Sequence, residues 1–282
     1  MDYSDFPKTD RFFGGSERKI AVRINGEQWI LKFQYDDGMK IRYNHVSEYI
    51  GSHVFESLGF DVQRTELGIY HGNQVVACRD FVPEGCMFVP FNDVGESTLE
   101  QDRGRFQYSY GDIMDMLRLN TKLTRVDETV RSFWDTYIVD ALIGNFDRHG
   151  SNWGFLKCGG RYRLAPVFDN GSSLYPQMID EDMMREVMSS AELTADRVYR
   201  FPTSQIKLGG SKSSYHDVIS SGDFPECNDA LLRVFPRIDL SELDAIVVSA
   251  PFISEVHKRF YMHMLRARYE LILRPAYEKA IG

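Results

Sequence analysis

Long apolar runs are missing from this chain. No stretch approaches about eighteen uninterrupted apolar residues, so no membrane-spanning helix is expected. The opening residues, MDYSDFPKTDRFFGG, are acidic and hold no apolar h-region, which argues against a cleavable secretion signal and makes the cytoplasm the default expectation. A secretion route that needs no such signal leaves no mark in a sequence, so a secreted effector stays open. The four cysteines, Cys78, Cys86, Cys158 and Cys227, contain no C-x-x-C pair. Neither a zinc site nor a disulfide framework is indicated, and buried free thiols are expected. Basic residues are outnumbered and scattered: 33 Lys and Arg against 41 Asp and Glu give a formal charge of −8, without the cationic stripe of a duplex binder. Nucleic acid is therefore not expected as a partner. No H-E-x-x-H occurs among the histidines, Ser16 and Lys19 form an S-x-x-K without the S-D-N or K-T-G that acyl transfer requires, and GGSKSS at 209–214 lacks the order of a Walker loop.

The 282 residues, 43% hydrophobic and 26% charged, suit a globular chain of one or two units, long enough to bury roughly three quarters of its extended surface. Residues 19–33, KIAVRINGEQWILKF, are two β-rich runs around Asn25-Gly26, a two-residue hairpin turn whose positions both need positive φ. Such a turn makes paired residue numbers sum to 51. Ile20, Val22, Ile24, Trp29 and Leu31 then share an apolar face, and Lys32 points the other way. VSEYIGSHVFESLG carries Val46, Tyr49, Ile50, Val54 and Leu58 at helical spacing and stops at Gly59. Two further strands, 65–70 and 74–81, flank His71-Gly72-Asn73. A small β-rich lobe over 1–82 and a larger, mainly helical lobe over 83–282 are expected, with 83–108 irregular. In the second lobe a helix is predicted from the stripe Val126, Val130, Phe133, Tyr137, Ile138, Ala141 and Leu142 to Gly144, capped by Thr124 and Asp127. Another is predicted over 254–273, ended by Pro275, and Ser211–Gly222 reads as a mobile loop.

Chemistry concentrates in NFDRHGSNWGFLKCGGRYRLAPVFDNGSSL, residues 145–174. Asp147 is followed by Asn152, and then by Asp169 beyond two β-like runs around Cys158-Gly159-Gly160, a hairpin that should bring Asn152 and Asp169 together. Few, hard oxygen ligands suit Mg²⁺ on ATP, since they leave room for phosphate oxygens and water. Asp147, on the preceding loop, suits acceptance of a proton from an attacking hydroxyl, the task of the aspartate in a kinase D-x-x-x-x-N loop. Taken singly, Asp and Asn at such places are ordinary turn residues. The first lobe adds Lys32 on a strand, Glu48 sixteen positions later on a helix, and Gly14, Gly15 and Ser16 where backbone amides can approach phosphate. All five parts fall in kinase order.

The segments NFDRHGSNWGFL and LAPVFDNGSSLYP resemble the catalytic and metal-binding segments of the HipA-like kinases, nearest to their short stand-alone type, and D-R-H-x-x-N is also similar to phosphoinositide kinases. SEYIGSHVFESLG, VVACRDF, NDALLRVFPRIDL and PFISEVHKRFY extend the resemblance over nearly the whole chain. It implies an α+β, bilobal protein-kinase-like fold and ATP- and Mg²⁺-dependent phosphorylation of Ser or Thr on a protein, including autophosphorylation. Asp147 would be the catalytic aspartate, Asn152 and Asp169 the metal ligands, Lys32 the phosphate contact and Glu48 its partner. His149 matches the family's loop histidine, and Cys78, Arg79, Asp80 and Phe81 would form the hinge at adenine. FDNG stands where kinases carry DFG, which argues against a conventional DFG flip or phosphorylated activation loop, and the additional N-terminal module of full-length HipA toxins is not seen, which argues against a DNA-linked partner; an antitoxin or host-protein partner is not readable from the sequence. Two rivals remain: a pseudokinase that only binds nucleotide, and a kinase whose acceptor is a lipid headgroup or small molecule.

Overall fold

The computed structural model describes residues 1–11, 18–96, 109–119 and 125–282. The expected glycine loop (Gly14, Gly15, Ser16) and the cap residue Thr124 lie outside these. In chain order the elements begin with β1 (Lys19–Ile24), β2 (Glu27–Phe33), β3 (Tyr35–Asp36), β4 (Ile41–Arg42) and α1 (Asn44–Ser57). β5 (Thr65–Tyr70), β6 (Asn73–Arg79), β7 (Cys86–Pro90), α2 (Phe91–Glu96), α3 (Tyr110–Leu119) and α4 (Val126–Ile143) follow. Next come β8 (Gly154–Cys158), β9 (Arg161–Leu164), α5 (Glu181–Ser189), α6 (Ala191–Tyr199), β10 (Thr203–Leu208) and β11 (Ser211–Ser214). The chain closes with α7 (Tyr215–Ser221), α8 (Pro225–Val234), α9 (Leu240–Ser249), α10 (Glu255–Arg268) and α11 (Arg274–Ile281). No described helix is long and apolar enough to cross a membrane.

By packing the chain forms two units. The first comprises Met1–Phe81, Val167–Thr194 and Asp239–Arg266; the second comprises Val82–Pro166, Ala195–Ile238 and Ala267–Gly282. Its first 81 residues thus stay together, and two later segments join them.

In the first unit β1, β2, β6 and β5 form an antiparallel sheet in that order. Asn25 (φ 50°) and Gly26 (φ 85°) make the turn, and the register pairs Val22 with Trp29 and Lys19 with Lys32, as the two-residue turn predicts. Val22, Ile24, Trp29, Leu31, Phe33, Val75 and Ala77 form the apolar core beneath one face, closed by Tyr3 and Tyr70. Burial of each large side chain contributes about 1.5–3 kcal/mol. α1 packs on β5 and β6, and it ends where predicted, with Gly59 at φ 74°.

In the second unit α4 is buried along the expected stripe and ends at Gly144 in the left-handed conformation. β7, β8 and β9 form a three-stranded sheet, and β10 pairs with β11. Four expectations need correction here. The stretch read as irregular contains β7 and α2. β7 lies beside β8 with Cys86 opposite Cys158, and the two form a disulfide, so only Cys78 and Cys227 are the buried free thiols expected of all four. Their sequence separation of 72 hides a pairing that exists only once β7 is placed. Ser211–Gly222 is ordered: Ser211–Ser214 pairs with β10, and Ser214 with Asp217 forms a capping box that starts α7. Finally, in the last helical run Pro275 does not end the helix. A π-helical turn at Tyr269–Leu273 leads into α11, which carries Pro275 in its first turn, where a missing N–H costs nothing.

Candidate active site

The first unit builds a buried cation between two carboxylates. Lys32 leaves β2 on the face opposite the apolar core, and its Nζ lies 2.8 Å from Asp169 Oδ1 and 3.2 Å from Glu48 Oε2. Lys32 and Glu48 are 12% and 1% exposed at the side chain, whereas Asp169 is 34% exposed. Burial acts to lower the Lys32 pKa, but the carboxylates of Asp169 and Glu48 outweigh it and hold the ammonium well above its ordinary value. Three formal charges sum to −1, a site that favours a further cation. Glu48 Oε1 is buried without a hydrogen-bond partner among the described residues.

The segment carrying Asp169 is clamped onto this unit. Val167 accepts from Gln63 N and donates to Asp61 O, both at 2.8 Å, and Asn170, fully buried, donates to Ser52 Oγ on α1. Asp169 adopts φ 59°, a left-handed conformation that Asp tolerates better than most residues. At Gly171 an added Cβ would stand 3.2 Å from Glu48 Oε2 and 3.3 Å from Asn44 O, so this close approach wants glycine. Asn44, Ser52, Asn170 and Gly171 escaped the sequence reading. In FDNG the Asn-Gly pair was the available signal, since it reads equally as a turn.

The second unit builds the loop of Asp147. After α4 stops at Gly144, Asp140 is buried and accepts from Arg148 Nε and Nη2, both at 2.9 Å, and from Asn145 Nδ2 at 3.1 Å. Asn145 Oδ1 accepts from Asp147 N at 3.0 Å, and Asp147 O accepts from His149 N and Asn152 Nδ2, both at 2.8 Å. Arg148 Nη1 donates to Asn152 O, Gln205 Nε2 to Phe146 O, and Tyr215 Oη to Asn145 O. The loop backbone is thus fixed from several sides, while the Asp147 and His149 side chains are each 44% exposed, with His149 Nε2 3.9 Å from Asp147 Oδ1. Asp140, Asn145 and Arg148 were missed as positioning residues. Asp140 carried a signal: a charge inside the apolar stripe of α4 must find a partner when buried.

The hairpin of β8 and β9 closes as its Gly-Gly turn predicts, Ala165 N donating to Gly154 O at 3.0 Å. Asp147, His149 and Asn152 belong to the second unit, and Lys32, Glu48 and Asp169 to the first. Of the expected hinge, Cys78 is buried in β6 opposite Ile30, Arg79 pairs with Glu27, Asp80 pairs with Arg11, and Phe81 packs on Phe168.

The donor chemistry fits a hard cation that is completed by a ligand. No three His, Cys, Asp or Glu gather as a metal cage among the described residues. With its amide nitrogen given to Asp147 O, Asn152 presents its amide oxygen, and Asp169 supplies a carboxylate. Each, in its own unit, is a hard oxygen donor of the kind that suits Mg²⁺.

These features define the class: an α+β protein of bilobal, protein-kinase-like fold, with a small β-rich lobe and a larger, mainly helical one. The sequence profile of the HipA-like C-terminal domain matches residues 12–221, and the chain belongs to that family. It is 35% identical over 277 residues to the serine/threonine-protein kinase CtkA of Helicobacter pylori, covering 96% of this chain and 85% of that one. The crystal structure of the Helicobacter pylori proinflammatory kinase CtkA superposes with a TM-score of 0.93 at 33% identity, covering 100% of this chain and 97% of that chain. HipA of Shewanella oneidensis MR-1, solved with HipB and operator DNA, shares the fold with a TM-score of 0.59 at 14% identity, over 97% of this chain and 70% of its own.

Proposed function

We propose that this protein is a HipA-like kinase that transfers the γ-phosphoryl group of ATP to a Ser or Thr hydroxyl of a protein, and to itself. The observation that carries the proposal is Lys32 held by Glu48 and Asp169, on a chain whose Asp147–Asn152 loop is fixed by a buried network. In this reading Lys32 contacts the phosphates, and Glu48 orients it. Asp147 accepts the proton of the attacking hydroxyl as that oxygen bonds to phosphorus and the bond to the leaving ADP oxygen breaks. Asn152 and Asp169 would hold Mg²⁺, whose chemistry is to neutralise phosphate charge. His149, near Asp147 Oδ1, steadies the loop, and residues 78–81 supply backbone groups to adenine. Little covalent work falls to the protein, so positioning and charge carry the catalysis.

Two lines of support bear on the rivals. Each acidic and amide group the chemistry needs is present, which favours catalysis over a nucleotide-binding pseudokinase, and a charge of −8 disfavours anionic membranes as acceptor. The Cys86–Cys158 disulfide supports action in an oxidising compartment rather than in the cytosol. The test is labelled ATP with Mg²⁺, offered with a protein panel and with phosphoinositides, wild type beside Asp147→Asn. Transfer to protein that falls about 10²–10⁴-fold in the variant, with ATP still bound, is expected. Equal rates remove Asp147 from its role, and labelling of lipid alone overturns the acceptor.

A further inference from the structure

Apart from the residues assigned to phosphoryl transfer, the second unit carries a cavity of about 480 Å³. One wall is β9, the outer strand of the β7-β8-β9 sheet, and the other is the start of α4, with Arg125, Glu128 and Thr129. Phe155, Tyr162 and Leu164 give it an apolar floor. Because Ala165 N bonds to Gly154 O, alternation turns the N–H and C=O of Arg161 and Arg163 toward β8 and those of Tyr162 and Leu164 outward. Among the described residues no backbone group pairs with that outer edge.

The charge of the cavity is opposite to that of the chain. Three arginines and one glutamate are among the lining residues, a formal +2 in a molecule whose formal charge is −8. Arg125 pairs with Glu128 at 2.9 Å, both exposed, whereas Arg161 and Arg163 have no carboxylate partner among the described residues. These two stand on the face of the edge strand opposite Tyr162 and Leu164, two positions and about 7 Å apart. A lone phosphate would satisfy the guanidinium groups but leave the strand edge unpaired. An extended segment satisfies both.

We propose that this groove binds an extended peptide segment of a partner protein, added to β9 as a further strand, with Asp or Glu at alternate positions paired to Arg161 and Arg163. Main-chain hydrogen bonds to Tyr162 and Leu164 supply affinity, and the alternating carboxylates set register and specificity. The inference does not rest on the kinase reading, since binding needs neither nucleotide nor turnover.

The test is fluorescence anisotropy of a labelled octapeptide alternating Glu and Val, titrated with the full chain without nucleotide. Saturable binding is expected, weakened at least about tenfold by the double variant Arg161→Glu, Arg163→Glu, whose positions are exposed. Two versions of the peptide, N-methylated at alternate residues in opposite phase, keep the charge and test the strand on wild-type protein. One phase should bind and the other lose binding. Absence of saturable binding overturns the proposal, as does indifference to charge reversal, which would leave the arginines as guards against edge pairing between copies. Equal binding of both methylated phases overturns it too, reducing the site to a cationic patch.

Discussion

Asp140 shows how a buried charge fixes the backbone of the loop that carries Asp147. Its carboxylate is buried and accepts from Arg148 and Asn145, and Asn145 in turn fixes Asp147 N. Asp140→Ala removes the carboxylate partner of buried Arg148, a loss of about 3–5 kcal/mol. A lower melting temperature and reduced transfer are expected together; an unchanged melting curve would show that the pair contributes nothing. His45 gives a pH signature. It is fully buried against Gln74, and burial lowers its pKa to about 4, below the usual value of about 6.5. The unfolded chain therefore binds a proton that the folded chain refuses. Stability from this group is complete above pH ~6.5 and is lost as pH falls toward ~4, about 3 kcal/mol in all. Melting temperature measured across that window should fall more steeply for wild type than for His45→Phe, and parallel curves would sink the assignment. His257 and His263, also lowered by burial, are common to both proteins and cancel. At this scale the sequence offered candidate residues for the proposed chemistry, because kinase order is a pattern in one dimension. It concealed Asn44, Ser52, Asn145, Arg148 and Asn170, whose importance lies in contacts that only folding creates.

Among elements, legibility followed the range of the interactions. The β1–β2 hairpin was readable to the register because its two-residue turn decides the pairing locally. β7 was not, because its partner β8 lies more than sixty residues away and its own sequence, CMFVP, lacks alternation. With β7 unseen, the Cys86–Cys158 bond was unseen too. The bond closes a sequence separation of 72, for which chain entropy gives about 4 kcal/mol. Cys86→Ser with Cys158→Ser, or reduction of the wild type, should lower the melting temperature by several degrees. No change on reduction would mean that the sheet holds β7 without the bond. In the last helical run the stop signal at Pro275 was sound chemistry misplaced by one turn: proline tolerates a helix's beginning, and the π-helical turn at Tyr269–Leu273 makes a new beginning available.

For the whole molecule, ligand linkage offers the broadest check on the proposed function. A nucleotide that binds only the folded chain raises its stability by about 2.7 kcal/mol at a hundredfold excess over Kd. Mg²⁺ with a non-hydrolysable ATP analogue should raise the melting temperature of wild type but not of Asp169→Ala. An equal rise in both would remove Asp169 as a metal ligand. A contiguous reading into residues 1–82 and 83–282 followed composition along the chain, whereas packing gathers 167–194 and 239–266 with the first 81 residues. Composition cannot reveal that, since neither later segment looks β-rich.

The threading of three separate stretches into one unit governs how the protein is made. Lys32 leaves the ribosome 137 residues before Asp169, its carboxylate partner. At about 5–20 residues per second this is a wait of roughly 7–27 s. The nascent β1–β6 region must spend that time without α9 and α10, which come later still. The pairing of Lys32 with Asp169 thus forms well after that with Glu48, and any phosphotransfer that depends on it stays off until Asp169 has been made.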